Sequence, residues 1–183
     1  MGIILNLAIL FLILLGIFTL YLLVFAIAGK VTSANTTTRT PKTQRKFAVF
    51  LPSYKEDKVI LESAKRALIQ DYPKALFDVI VIADSLKPET VAQLRELPIT
   101  TYEVTFETST KAKALNYAMS QLTEQYDIAL ILDADNIMAT DFITKLNATF
   151  DLGYQVVQGH RTAKNTNSPT AILDAISEEI NNH

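Results

Sequence analysis

Asp133 and Asp135 stand two residues apart, directly behind the apolar run Ile128-Ala129-Leu130-Ile131-Leu132 and ahead of Asn136. Two carboxylates at that spacing behind a strand can face one side and hold a hard divalent cation through oxygen, leaving coordination positions for a diphosphate. Such a cation would neutralise the charge that builds on a departing nucleoside diphosphate. The commoner use of the same acids is to cap a turn or the following helix. An EF-hand loop is excluded, because Ile137 and Met138 fall where that motif needs an oxygen ligand and a glycine.

Three other segments carry residues of similar potential. Asp84 ends the run Asp78-Val79-Ile80-Val81-Ile82-Ala83, where a carboxylate could accept from a base N–H or a ribose hydroxyl, or could cap a turn through Asp84-Ser85. Tyr54 and Glu56 follow the first apolar run, where a ring can lie against a nucleobase and a carboxylate can accept its N–H groups. Glu56-Asp57 read equally as acids at a helix N-terminus. Lys111 and Lys113 could oppose phosphate charge, with Lys111 nearer the helix start, and a solvated helix face is the alternative for both. Asn116 on that helix suits a structural role, and His160, a lone histidine near Arg161 and Lys164, is left out of the catalytic set.

These segments need elements to hold them. Short apolar runs at residues 47–51, 77–83, 101–106, 128–132 and 154–158 have the character of buried strands. Between them, Ile60, Ala64 and Leu68 share a helical face, as do Leu115, Ala118, Met119 and Leu122; Val91 with Leu94, and Phe142 with Leu146 and Phe150, predict two further helices. Strands alternating with helices predict βαβ units and a mainly parallel sheet. Ligands of such open α/β sheets bind at the carboxyl ends of the strands, where all four polar segments would meet.

Ahead of this domain lies a segment of a different kind. Across residues 2–29 the only clearly polar side chains are Asn6, Thr19 and Tyr21, and the first charge is Lys30. The stretch exceeds the ~20 apolar residues that cross a bilayer, accounts for the chain's mean hydropathy of +0.21, and predicts one transmembrane helix. Ala26-Ile27-Ala28 resembles a signal-peptide cleavage site, but no basic residue precedes the run and the run is too long for a signal core. Lys30, Arg39, Lys42, Arg45 and Lys46 all follow it, which places the globular part on the cytoplasmic side. Residues 31–43, polar and without periodicity, predict an extended linker, and the basic cluster at 39–46 an orientation signal within reach of anionic lipid.

Composition excludes several functions. A net charge of −2 gives no footprint for nucleic acid. Without cysteine there is neither a thiol nucleophile nor a thiolate metal site. The G-x-G-x-x-G, G-x-x-x-x-G-K-[ST] and G-x-S-x-G patterns are all absent.

Taken in order, Phe50-Leu51-Pro52-Ser53-Tyr54-Lys55-Glu56, Val81-Ile82-Ala83-Asp84-Ser85, Lys111-Ala112-Lys113-Ala114-Leu115-Asn116 and Leu132-Asp133-Ala134-Asp135-Asn136 resemble the family 2 glycosyltransferases of the GT-A fold, over about residues 47–165. The resemblance implies a GT-A Rossmann-like, mainly parallel sheet flanked by helices, here preceded by one transmembrane helix. It implies a nucleotide-sugar donor, usually a UDP-sugar, bound with Mg²⁺ or Mn²⁺, and a glycan or lipid acceptor. By position, Pro52, Tyr54 and Glu56 are similar to the nucleobase-side loop and Asp84 to the base or ribose acceptor. Lys111 is similar to the lysine near the nucleotide. Asp133 and Asp135 are similar to the D-x-D pair, whose second member is the direct metal ligand.

One departure matters. The later E-D or T-E-D segment that carries the base of inverting members does not occur before His183, nor does the Q-x-x-R-W of processive ones, and Glu178-Glu179 lacks the expected context. The expectation is therefore an N-terminal part of an inverting enzyme: a transmembrane helix at 1–29, a basic and polar linker at 30–46, and a nucleotide-sugar-binding domain at 47–183 that is incomplete at its C-terminus. The base is expected beyond His183, and the chain alone to bind donor weakly or not to turn over. Two alternatives stay open, a sugar nucleotidyltransferase, whose Gly-rich basic first loop is missing, and a membrane-tethered binding module without catalysis.

Overall fold

The computed structural model describes residues 2–32, 42–163 and 168–181, so the predicted linker lies largely outside the described residues. The chain divides into two compact units, Thr38–Val157 and a second one of Met1–Thr37 with Gln158–His183.

The second unit holds α1 (Gly2–Thr32) and α6 (Pro169–Asn181). Helix α1 runs through Val31 and Thr32, which the polarity pattern assigned to the linker. Its side chains from Gly2 to Ala28 are exposed, and these 27 residues are long and apolar enough to cross a membrane. At 1.5 Å per residue they reach about 40 Å, against a hydrocarbon core of ~30 Å. The helix is apolar on every side, an arrangement that water penalises and lipid does not. Its Thr19 hydroxyl donates to the Leu15 carbonyl at 2.8 Å, so the donor is satisfied inside the helix.

The other unit is an α/β domain. Strands β1 (Phe47–Tyr54), β2 (Phe77–Asp84), β3 (Thr100–Val104) and β4 (Ile128–Ile131) form one sheet in the order β3-β2-β1-β4, and every pairing is parallel. Helices α2 (Ile60–Ala67), α3 (Pro88–Arg95), α4 (Lys111–Ser120) and α5 (Phe142–Phe150) cover it.

The strands alternate residue by residue between two cores. Phe47, Val49 and Leu51 with Phe77, Val79 and Val81 pack under α2, α3 and α5 through Ile60, Ala64, Leu94, Ile143 and Leu146. Ala48 and Phe50 with Ile80 and Ile82 pack under α4 through Ala114 and Ala118. The helix face of α4 is therefore rotated from the one the sequence predicts, because Ala114 meets the sheet and Met119 stays exposed. Strand β4 is only half covered: Ile128 and Leu130 join the first core, whereas Ala129 and Ile131 lie exposed at the sheet's edge. Residues 154–158 form no strand, because no partner strand reaches them among the described residues. Only Val157 of this segment packs on the core, and Val156 is exposed.

The entry to β1 is pinned at the N-terminal rim of the sheet. Arg45 gives its guanidinium to Asp151 at 2.8 Å and to the Asn147 side chain at 3.0 Å. The fully buried Asn147 donates in turn to the Thr43 carbonyl at 2.7 Å. The Tyr72 hydroxyl accepts from the Arg45 N–H at 3.0 Å and donates to its carbonyl at 2.8 Å. Lys46 pairs with Glu124 and with Asp78 at 3.5 Å, and lies over the Tyr126 ring. Burial, together with donation to Asp78 at 2.9 Å, pushes the Tyr126 phenol up to about 12. Arg45 and Lys46 thus face carboxylates of their own domain.

Two carboxylates and one buried amide tie the loops down. Asp57 accepts from the Thr90 hydroxyl at 2.6 Å and the Lys87 N–H at 2.8 Å, so it serves the start of α3 rather than its own helix. Those bonds hold its carboxyl below the usual value, and the Lys42 N–H with Arg45 does the same for Asp151. Gln70, almost fully buried, donates to the Ala139 carbonyl at 2.9 Å and accepts from the Ile143 N–H at 3.2 Å, which fixes the far end of the loop that follows β4.

Two outcomes follow from these contacts. A folded-state carboxyl pKa below the unfolded value of 3.8 contributes stability that is complete above that value and is lost as pH falls through the folded one. Urea midpoints should therefore drop below about pH 4, with a shallower drop in the Asp57→Asn, Asp151→Asn double variant; identical slopes would refute the assignment. Gln70→Ala strands the Ile143 N–H in the interior, while the Ala139 carbonyl keeps the Phe142 N–H, and should cost about 1–3 kcal/mol in urea denaturation.

Candidate functional site

Parity and register bring the polar segments together. Pro52 and Tyr54 continue the α4-facing alternation of β1, and Asp84 continues that of β2, with Tyr54 directly opposite Asp84 in the parallel register. The chain then turns sharply at Lys55 and Ser85, both in the left-handed region at φ 58° and 55°. Each turn adds one more bond to the sheet, from the Lys55 N–H to the Asp84 carbonyl and from the Ser85 N–H to the Val104 carbonyl, both at 3.1 Å. Left-handed backbone at non-glycine residues is costly and concentrates at sites whose geometry matters.

Between this rim and the start of α4 lies a cavity of about 160 Å³ lined by Pro52, Ser53, Tyr54, Asp84, Lys111 and Ala114, with Ser109 and Thr110 beside them. Thr110 caps α4, its hydroxyl accepting from the Lys113 N–H at 3.2 Å. The N-terminal end of that helix, with its partial positive charge and the Lys111 ammonium, therefore borders the cavity and suits an anionic group. Lys113 is committed elsewhere, donating to the Thr108 carbonyl at 2.8 Å. Asp84 is 2% exposed; its Oδ1 accepts from the Ser85 hydroxyl at 3.0 Å. Tyr54 is half exposed and carries the Lys55 ammonium 4.9 Å above its ring. The adjacent Tyr54 phenol first, and then the Asp84 charge, raise the Lys55 pKa.

Of the acids behind β4, Asp133 reaches the same side through Lys111. Leu132 adds one more bond to the sheet, its N–H donating to the Phe50 carbonyl at 2.9 Å, and the chain turns as the Asn136 N–H donates to the Asp133 carbonyl at 3.0 Å. Ala134 points into the first core. Asp133 is ion-paired with Lys111, which links it to the cavity, and Asp135 is exposed on the turn. Among the described residues no three His, Cys, Asp or Glu side chains converge on one point. The donor set is thus two hard carboxylates with open positions, which fits a divalent cation shared with a diphosphate rather than one caged by protein.

Of the residues singled out from sequence, Pro52, Tyr54, Asp84 and Lys111 meet at one cavity, and Asp133 joins them through Lys111. Glu56 does not line the cavity; its carbonyl accepts from the N–H groups of Val59 and Ile60 at 3.2 Å, and its side chain is exposed. Ser53, Ser109, Thr110 and Ala114 line the cavity without having been named as site residues. Thr110 alone had a sequence signal, a hydroxyl just ahead of a helical pattern.

The family model described as glycosyltransferase like family 2 matches residues 44–182. No curated protein sequence matches the chain. Among solved structures, the mannosyltransferase PcManGT from Pyrobaculum calidifontis, in complex with GDP-Man and Mn²⁺, is similar with TM-score 0.55 at 24% identity, over 68% of this chain and 39% of that one. TarS from S. aureus in complex with UDP is similar with TM-score 0.50 at 24% identity, over 73% of this chain and 51% of that one. TarS in complex with UDP-GlcNAc gives 0.50 at 23%, over 66% and 41%. This chain spans less than two thirds of the length of each, and at these identities the likeness speaks to the fold. The family match takes in well over half of the 183 residues, and the chain belongs to glycosyltransferase family 2.

Proposed function

We propose that this chain is the donor-binding part of a membrane-anchored, inverting glycosyltransferase that takes a UDP-sugar and hands the sugar to a glycan or lipid acceptor. The observation that carries the reading is the convergence of Tyr54, Asp84 and Lys111 on one cavity, with Lys111 reaching Asp133 across its edge. The nucleobase lies against Tyr54, and Asp84 accepts from it. Because Ser85 already donates to Asp84 Oδ1, one oxygen is left for the base, which suits the single ring N–H of uracil better than the paired donors of guanine. Glu56, on the rim of the same loop, accepts from the outer part of the nucleoside.

Asp133 and Asp135 would hold Mg²⁺ or Mn²⁺, with Asp135 as the direct ligand. When bound, the cation supplies charge neutralisation for the leaving diphosphate. Lys111 and the start of α4 grip the phosphates. Displacement at the anomeric carbon then inverts its configuration, and a carboxylate from outside this rim takes the acceptor's proton. Helix α1 anchors the enzyme, and the basic residues that follow it place the domain on the cytoplasmic side.

Calorimetry of the chain in detergent tests the donor site. UDP should bind only with Mn²⁺ present, GDP more weakly than UDP, and Asp135→Ala should weaken UDP at least ~tenfold, or 1.4 kcal/mol. Equal affinity for UDP and GDP would reject the uridine assignment. Silence from a folded sample would favour a tethered module without donor chemistry.

A further inference from the structure

Lys111 faces two partners of opposite use. It heads α4 at the wall of the cavity, yet its ammonium is ion-paired with Asp133 Oδ1. Both side chains are about half exposed, so the pair is accessible and exchangeable. Asp135, two residues on, has no such partner among the described residues. The other cations at this rim are otherwise engaged, Lys55 over Tyr54 and Lys113 on the Thr108 carbonyl.

We infer that Lys111 is the resident counter-ion of Asp133, and that it moves to the donor's diphosphate as a divalent cation takes its place, so that cation and donor bind cooperatively. The inference rests on the donor-site reading above. A divalent cation arriving alone must part Lys111 from Asp133 and leave an ammonium unpaired within a few ångströms of a double positive charge, a repulsion that solvent only partly screens. A diphosphate removes that cost, because it offers the ammonium new oxygens beside the same cation. Lysine suits the exchange, since its compact charge sits on a flexible four-carbon stem with three rotatable donors. By linkage, whatever factor the nucleotide adds to cation affinity, the cation adds to nucleotide affinity.

The experiment measures Mn²⁺ binding by electron paramagnetic resonance on the full chain in detergent, with and without UDP, in wild type, Lys111→Met and Lys111→Arg. Methionine keeps the stem and the helix start, and circular dichroism checks the fold. Lys111→Met should bind Mn²⁺ alone about 3- to 10-fold more tightly than wild type, and the factor by which UDP improves Mn²⁺ binding should shrink by the same amount. Lys111→Arg should retain most of that factor. Cooperative Mn²⁺ and UDP binding that persists unchanged in Lys111→Met overturns the exchange and leaves the donor site standing. A folded wild type that binds neither ligand overturns both.

Discussion

The parallel register that sets Phe47 opposite Phe77 also sets Tyr54 opposite Asp84, and the rest of the molecule depends on that levelling. Both strands are apolar on both faces and buried between helices, so a slip of one residue would exchange two complete cores. With slippage closed off, the strand ends must finish at one height. Tyr54 and Asp84 then arrive on the α4 side by parity alone, and the two left-handed turns behind them carry the chain away without losing a sheet bond. The rim is thus a by-product of how the core is packed.

The opposite rim is held by charge. Arg45, Asp151, Asn147 and Tyr72 form a connected set in which the guanidinium and the buried amide both find partners. Lys46, Asp78, Glu124 and Tyr126 form another at the foot of β1 and β2. Together they fasten the chain where it enters the domain, at the end of the strands away from the cavity.

Strand β4 differs from its neighbours, and Asp133 and Asp135 sit behind it. It pairs with β1 on one side and leaves Ala129 and Ile131 uncovered on the α4 side. What steadies the acids is less the strand than its continuation: Leu132 on the Phe50 carbonyl, Ala134 in the first core, and Gln70 gripping the loop at Ala139 and Ile143. Asp133, half exposed and paired with Lys111, and the exposed Asp135 are left between these fixed points.

The sequence by itself determined the elements and their order. Short apolar runs mark β1, β2 and β4, helical spacing marks α2 to α5, and a long uncharged run marks α1, because each signal comes from residues a few positions apart. It also placed the polar segments at the strand ends, and the ordered set of Pro52, Tyr54, Asp84, Lys111, Asp133 and Asp135 pointed to the family. Only the tertiary structure decided which of them meet. Residues 154–158 have the apolar character of a strand but find no partner among the described residues, Met119 loses the buried face to Ala114, and Glu56 stays outside the cavity that Thr110 joins. The pairings of Arg45 with Asp151 and of Lys111 with Asp133 join residues 106 and 22 positions apart. Such contacts depend on strand order and helix rotation, which no local pattern encodes, because the free energy that selects them comes from burying whole faces at once.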